Sequence, residues 1–146
     1  MTVVALGADH AGFALKEVLK GWLIAQGYDV VDLGTQSAES VDYPDFAIGV
    51  GGAITAGKAD RGVLVCGTGI GVSIAANKIA GVRAATVHDV TSAHLAREHN
   101  NANVVCFGER LIGYEVAREA LDAFVDTTFA GGRHQSRVAK IDALLQ

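Results

Sequence analysis

Proline is almost absent from this chain, and Pro44 is the only one. Cysteine is scarce too, with only Cys66 and Cys106. No apolar run is long enough to span a bilayer, so no membrane-embedded segment is expected. The opening residues, MTVVALGADH, lack the basic start and cleavage site of a secretory signal, which points to a cytoplasmic protein. Two cysteines in a reducing compartment are expected as free thiols, not as a disulfide. Positive charge is in short supply: 12 Lys and Arg against 16 Asp and Glu leave a net charge of −4. No net field gathers nucleic-acid or anionic-membrane phosphates, so neither partner is expected. No two histidines stand at a metal-ligand spacing with a third ligand, and no metal is expected.

What is present is apolar bulk and glycine. Half of the 146 residues are apolar and 19% are charged, as expected for one packed domain over 1–146. The 18 glycines stand between apolar runs, where short strand-to-helix turns need them. Strands are expected at Val3–Leu6, Tyr28–Leu33, Gly62–Cys66, Val82–Val87 and Asn103–Phe107. Helices are expected at Phe13–Gln26, Asp45–Ala56, Val72–Ile79, Val90–His99, Gly113–Phe129 and His134–Leu145. Alternation of this kind implies right-handed βαβ units and a parallel sheet covered on both faces. The fold class is therefore α/β, a three-layer αβα sandwich. It has a five-stranded parallel Rossmann-like sheet and a C-terminal helical tail.

In such sheets ligands bind beyond the carboxyl ends of the strands. That rule selects Gly7–Gly12, Cys66–Gly71, His88-Asp89 and Phe107–Arg110. The turn Cys66-Gly67-Thr68-Gly69-Ile70-Gly71 follows an apolar strand and opens a helix. Its amides and the helix N-terminus suit an anion, although a tight strand-to-helix turn alone would look the same. It is one residue short of the dinucleotide fingerprint and lacks the Gly-Lys-Ser/Thr of a P-loop. A phosphatase loop would want arginine at position 72, where Val72 stands. Cys66 lies at the end of the strand and before the helix, where dipole and backbone donors favour a thiolate. Cys106 lies inside an apolar run and reads as core.

Other candidates have structural alternatives. Asp9 is either a helix cap or a ligand, and His10 is either an anion ligand or a solvated turn residue. His99-Asn100 closes a helix, where both residues serve as caps. Arg133 and Arg137, four residues apart, share a helix face that is either solvated or a clamp for a phosphate dianion.

Together, GADHAGFALK at 7–16, DYPD at 42–45, CGTGIGVSIAANK at 66–78, REHNNANVVCFGER at 97–110 and GGRHQSRV at 131–138 closely resemble ribose-5-phosphate isomerase type B. That family also includes galactose-6-phosphate isomerase subunits. The motifs run almost end to end in the same order. The resemblance implies an aldose–ketose isomerase with no cofactor. It also implies a homodimer or dimer of dimers, with sites shared between subunits and the tail 131–146 packed on a partner. By matching motif, Cys66 is the base between C1 and C2. His99 opens the sugar ring, with Asp9 or Thr68 assisting. The amides of Gly67, Thr68, Gly69, Ile70 and Gly71 hold the enediolate oxygen. His10, Arg110, Arg133 and Arg137 bind phosphate, while Asp9, Tyr43 and Asn100 hold sugar hydroxyls. Some members place a glutamate base after the glycine turn. Val72 there, with Cys66 before the turn, matches the cysteine branch. The implied substrates are D-ribose 5-phosphate and D-ribulose 5-phosphate. Alternatives are a hexose 6-phosphate (allose or galactose type), a tetrose 4-phosphate, or a non-catalytic sugar-phosphate sensor.

Overall fold

The computed structural model describes residues 1–146. Five strands, β1 (Val3–Ala8), β2 (Asp29–Asp32), β3 (Arg61–Cys66), β4 (Ala84–Thr86) and β5 (Val104–Gly108), form one parallel sheet in the order β2-β1-β3-β5-β4. The apolar run in β3 belongs at the sheet centre, because both of its faces are covered. Val63, Leu64 and Val65 are fully buried there.

Helices α1 (Phe13–Ala25), α2 (Tyr43–Thr55), α3 (Ile70–Ala76), α4 (Val90–Glu98) and α5 (Tyr114–Asp126) cover the sheet. Right-handed crossovers decide which face each one takes. The chain steps outward from β1 to β2 through α1, and back past β1 to β3 through α2. It then steps out to the edge strand β4 through α3, and back to β5 through α4. The outward and return steps on each side put α1 and α4 on one face, where α5 joins them, and α2 and α3 on the other. Two cores result. One gathers Leu15, Leu19, Leu23, Phe107, Leu121 and Phe124. The other gathers Val50, Leu64, Val72, Val104 and Cys106. Burial raises the Cys106 thiol and keeps it an inert core residue. The tail helix α6 (Arg133–Asp142) lies beyond these layers. No helix is long and apolar enough to cross a membrane.

All eleven expected elements are present, with shifted ends. Helix α2 starts at Tyr43 and not at Asp45, because Pro44 falls in the first turn, where a missing N–H costs nothing. Helix α3 covers Ile70–Ala76 where Val72–Ile79 was expected. Its cap, Gly69, has φ +76°, and a Cβ there would sit 2.9 Å from the Phe107 carbonyl carbon. A glycine that fits this left-handed, crowded position opens the helix earlier than its apolar spacing suggests. Helix α5 ends at Asp126, not Phe129. Thr127 turns extended and donates its hydroxyl to the Ala123 carbonyl at 2.6 Å.

One charge runs against the amphipathic pattern. Lys16 on α1 is fully buried, and its Nζ lies 2.7 Å from Asp32 at the end of β2. Asp32 also accepts from Lys20 at 2.9 Å and from the Gly34 amide at 3.0 Å. The Gly34 carbonyl then accepts from the Ala8 amide, and the Thr35 amide donates to the Ala8 carbonyl. This network seats the loop after β2 against the end of β1, one residue before Asp9.

Candidate active site

The carboxyl ends of β1, β3 and β5 open into a cleft of about 460 Å³. Asp9, His10, Tyr43, Cys66, Gly67, Thr68, Ile70, Gly71 and Arg110 all line it. Parallel strands with helices leaving on opposite faces create this crevice, as expected of an open α/β sheet.

Cys66, the last residue of β3, is 5% exposed. The Gly69 amide donates to its sulfur at 3.2 Å. The Ile70 amide donates to the Thr68 hydroxyl oxygen at 3.2 Å. The loop after β5 fastens this turn from the side. The Glu109 amide donates to the Cys66 carbonyl and the Arg110 amide to the Gly67 carbonyl, at 2.9 and 3.0 Å. The Glu109 carboxylate reaches across to the Leu15 amide in the first turn of α1. Arg110 thus enters the cleft from a loop pinned to two other elements.

Asp9 is buried, and its Oδ1 accepts from the Ala11 and Gly12 amides at 3.0 and 3.1 Å. This is a turn before the helix and not the expected alternative of a cap, because the residue at the N-cap of α1 is Gly12. The second oxygen, Oδ2, accepts no hydrogen bond within the chain, and Asp9 lines the cleft. His10 Nδ1 accepts from the Val41 amide at 3.2 Å. The ring's proton then sits on Nε2, a donor suited to an anion. Tyr43 packs over Gly71 so closely that a Cβ on Gly71 would lie 2.6 Å from its ring.

The remaining sequence candidates stand elsewhere. His99 caps the C-terminus of α4, and the Asn103 carbonyl just beyond it accepts from the Gly62 amide at the start of β3. His99 and Asn100 therefore lie at the amino end of the sheet. Cys66 lies at the carboxyl end, roughly 15 Å away at about 3.3 Å per strand residue. The His99 ring stacks on His134 of α6 with centroids 4.4 Å apart, so Arg133 and Arg137 belong to this second cluster. Asn100 lines a separate cavity of about 430 Å³ beside Arg83 and the tail. Within one chain, the base candidate and the ring-opening candidate are not brought together. Sequence reading missed Arg83, Asn101 and Asp142 in the second cluster and Glu109 in the first. The partners of Arg83, Asp142 and Glu109 are far off in sequence, and Asn101 meets Arg83 through its carbonyl, which no residue type marks.

The open-sheet α/β fold gathers a strand-end cysteine, a glycine-rich turn, an aspartate, a histidine and an arginine in one cleft at the carboxyl ends of the strands, where α/β proteins of this class bind small ligands. The comparisons narrow this. Residues 4–141 match the family model described as Ribose/Galactose Isomerase. The chain is 47% identical, over all of its 146 residues and 98% of the relative, to ribose-5-phosphate isomerase B of Escherichia coli (strain K12). It is 44% identical to a D-erythrulose-4-phosphate isomerase of Pectobacterium atrosepticum, over 97% of this chain and 93% of that one. A solved ribose-5-phosphate isomerase B of Clostridium thermocellum superposes with a TM-score of 0.97 at 45% identity, over 98% of this chain and 97% of that one. The chain belongs to the ribose/galactose isomerase family.

Proposed function

We propose that this chain interconverts D-ribose 5-phosphate and D-ribulose 5-phosphate through an enediolate, in sites shared between two copies. The observation that carries the reading is Cys66 at the lip of the glycine turn, with the Gly69 amide on its sulfur, inside a cleft that also holds Asp9, His10 and Arg110. Its full-length likeness to ribose-5-phosphate isomerase B of Escherichia coli supports the choice of substrate.

In this mechanism the Cys66 thiolate removes the proton beside the sugar carbonyl and returns it to the neighbouring carbon. The developing oxyanion needs preorganised donors, each worth about 3 kcal/mol. The Gly69 and Ile70 amides are already engaged by Cys66 and Thr68. The oxyanion therefore falls to the amides of Gly67, Thr68 and Gly71. Asp9 Oδ2 and Tyr43 hold sugar hydroxyls. His10 and Arg110 take one side of the phosphate. The second copy supplies His99 for ring opening, Asn100 for a hydroxyl, and Arg133 and Arg137 for the other side of the phosphate, its tail 131–146 lying across the first. The separation of the two clusters within one chain supports this division. A free catalytic thiol also suits a cytoplasmic setting.

The test compares kcat/KM for tetrose 4-, pentose 5- and hexose 6-phosphates, and pentose phosphates should rank first. Preference for a four-carbon substrate would move the assignment toward the activity of the Pectobacterium relative. The Cys66→Ala variant should lose at least about a thousandfold in kcat, as expected when a proton-transferring group is removed. Mixing Cys66→Ala with His99→Ala chains should restore about a quarter of parent activity. Random pairing makes half the dimers mixed, and each holds one intact site in two. No restoration after confirmed subunit exchange would overturn the shared site.

A further inference from the structure

The tail helix α6 meets the body through the His134 ring on His99 at its start, the buried Val138 in its middle, and Asp142 against Arg83 at its end. Its N-terminus follows Gly131 and Gly132, both at positive φ and with open space where a Cβ would be. The hinge carbonyls accept from the His134 and Gln135 amides, and the Ala130 amide before it donates to the Glu98 carbonyl, but no side chain packs on either glycine. The contacts at His134, Val138 and Asp142 therefore set the direction of the helix, with Arg137 between the first two and Arg133 just before the first.

The Arg83 contact is built with more care than a surface ion pair. The Arg83 amide donates to Asn103 Oδ1 at 2.8 Å. Its Nε donates to the Asn101 carbonyl at 2.9 Å, and its Nη1 donates to both Asp142 carboxylate oxygens, at 3.0 and 3.3 Å. Asn101 is the one non-glycine residue at positive φ, +48°. Its Oδ1 accepts from Arg97 Nη1 at 2.8 Å, and Arg97 also donates to the Ala102 and Thr127 carbonyls. The backbone that aims the Asn101 carbonyl at Arg83 is thus held in place by a second, buried guanidinium. One forked side chain joins the turn that carries His99 and Asn100 to the far end of the helix that carries Arg133 and Arg137. A lysine ammonium at the end of a flexible stem would not hold both partners in fixed directions.

We propose that Arg83, acting through Asp142 and Asn101, is a positioning residue that sets the distance and angle between the arginines of the tail and the His99-Asn100 turn. This rests on the phosphate-binding role assigned to those arginines above. Releasing Asp142 leaves α6 held only by the His134 stack and Val138, and loosens its far end. Arg137, three residues from the His134 stack toward the released end, is displaced more than Arg133, which lies one residue away on the other side.

The experiment is steady-state kinetics on the full-length protein with ribose 5-phosphate. Asp142 is 44% exposed on its side chain and contributes no core packing, so Asp142→Ala and Asp142→Asn should fold with an unchanged Tm. Asp142→Ala should raise KM about tenfold with kcat within about twofold, the mark of lost ground-state binding. Asp142→Glu should recover most of that loss. In an Arg137→Ala background, Asp142→Ala should add less than about twofold, because the arginine it places is gone. A KM for Asp142→Ala within twofold of the parent overturns the proposal. So does a full tenfold effect that persists without Arg137, or a fall in Tm and kcat at constant KM. A parent protein with no turnover on any sugar phosphate would overturn the functional reading itself. An active parent indifferent to Asp142 would overturn only the positioning role.

Discussion

The imidazoles of His99 and His134 lie stacked, with centroids 4.4 Å apart and planes 15° from parallel. The contact orients the ring assigned to sugar ring opening, and it also joins the α4 turn to the tail. Burial pushes the His134 imidazole below its ordinary value of 6.5, and the charges of Arg133, His99 and Arg137 push it the same way against the pull of Glu98.

A stability profile follows. The folded chain resists protonating His134, while the unfolded chain takes the proton near pH 6.5. This contribution is full above that pH and declines as pH falls through 6.5 toward the lowered folded value. The Tm of the parent should fall between about pH 7 and about pH 5, and His134→Gln should flatten part of that fall. Thermal melts across the range check this, and parallel profiles for the two proteins would refute it.

A side chain at Gly71 is expected to push the Tyr43 ring out of its place. A Cβ there lies 2.6 and 2.7 Å from two carbons of the Tyr43 ring. Tyr43 is 40% exposed, so its ring can swing away without opening the core. Gly71→Ala should therefore raise KM several-fold with little loss of Tm. The double variant with Tyr43→Ala should show less than the sum of the two effects. Kinetics of the four proteins provide the measurement.

Asp32→Asn is expected to cost about 1.5–3 kcal/mol, because it takes the nearer of two carboxylates from the fully buried Lys16 ammonium and leaves it Glu17 at 3.0 Å. Urea denaturation measures it. Burial tends to raise the Asp32 carboxyl, but hydrogen bonds from Lys16, Lys20 and the Gly34 amide outweigh it and hold the group below its ordinary 3.8. The stabilisation is thus present at neutral pH and is lost only as pH falls below 3.8 toward the folded value.

Elements with a strong period were legible in the sequence. The run Val63-Leu64-Val65 announces a central strand, and the apolar spacing Leu15, Leu19, Leu23 announces the buried face of α1. Eight of the cleft residues were legible because they sit at strand ends, where the fold class alone directs attention, while Tyr43, at the start of α2, was reached only through the family resemblance. The strand order was not legible. Nothing in the α3 crossover tells that β4 passes outside β5 to the edge. Lys16 was also hidden, since a lysine on a helix is expected to face water, and its partner lies 16 residues away on β2. The same holds for Arg83 and Asp142, which meet across 59 residues.

On the shared-site reading, the two residue clusters at opposite ends of the sheet carry a hazard that active-site chemistry does not reveal. A surface whose complement lies at the far end of the same molecule is the geometry of a growing fibre, since each added copy leaves a fresh end exposed. Growth stops only if the second contact turns back on the first molecule. On the shared-site reading, a twofold axis does this, because each copy offers its tail to the neighbour that offers one in return. Closure after two chains would then be a condition of solubility as much as of catalysis. Substitutions that tilt α6 would endanger both.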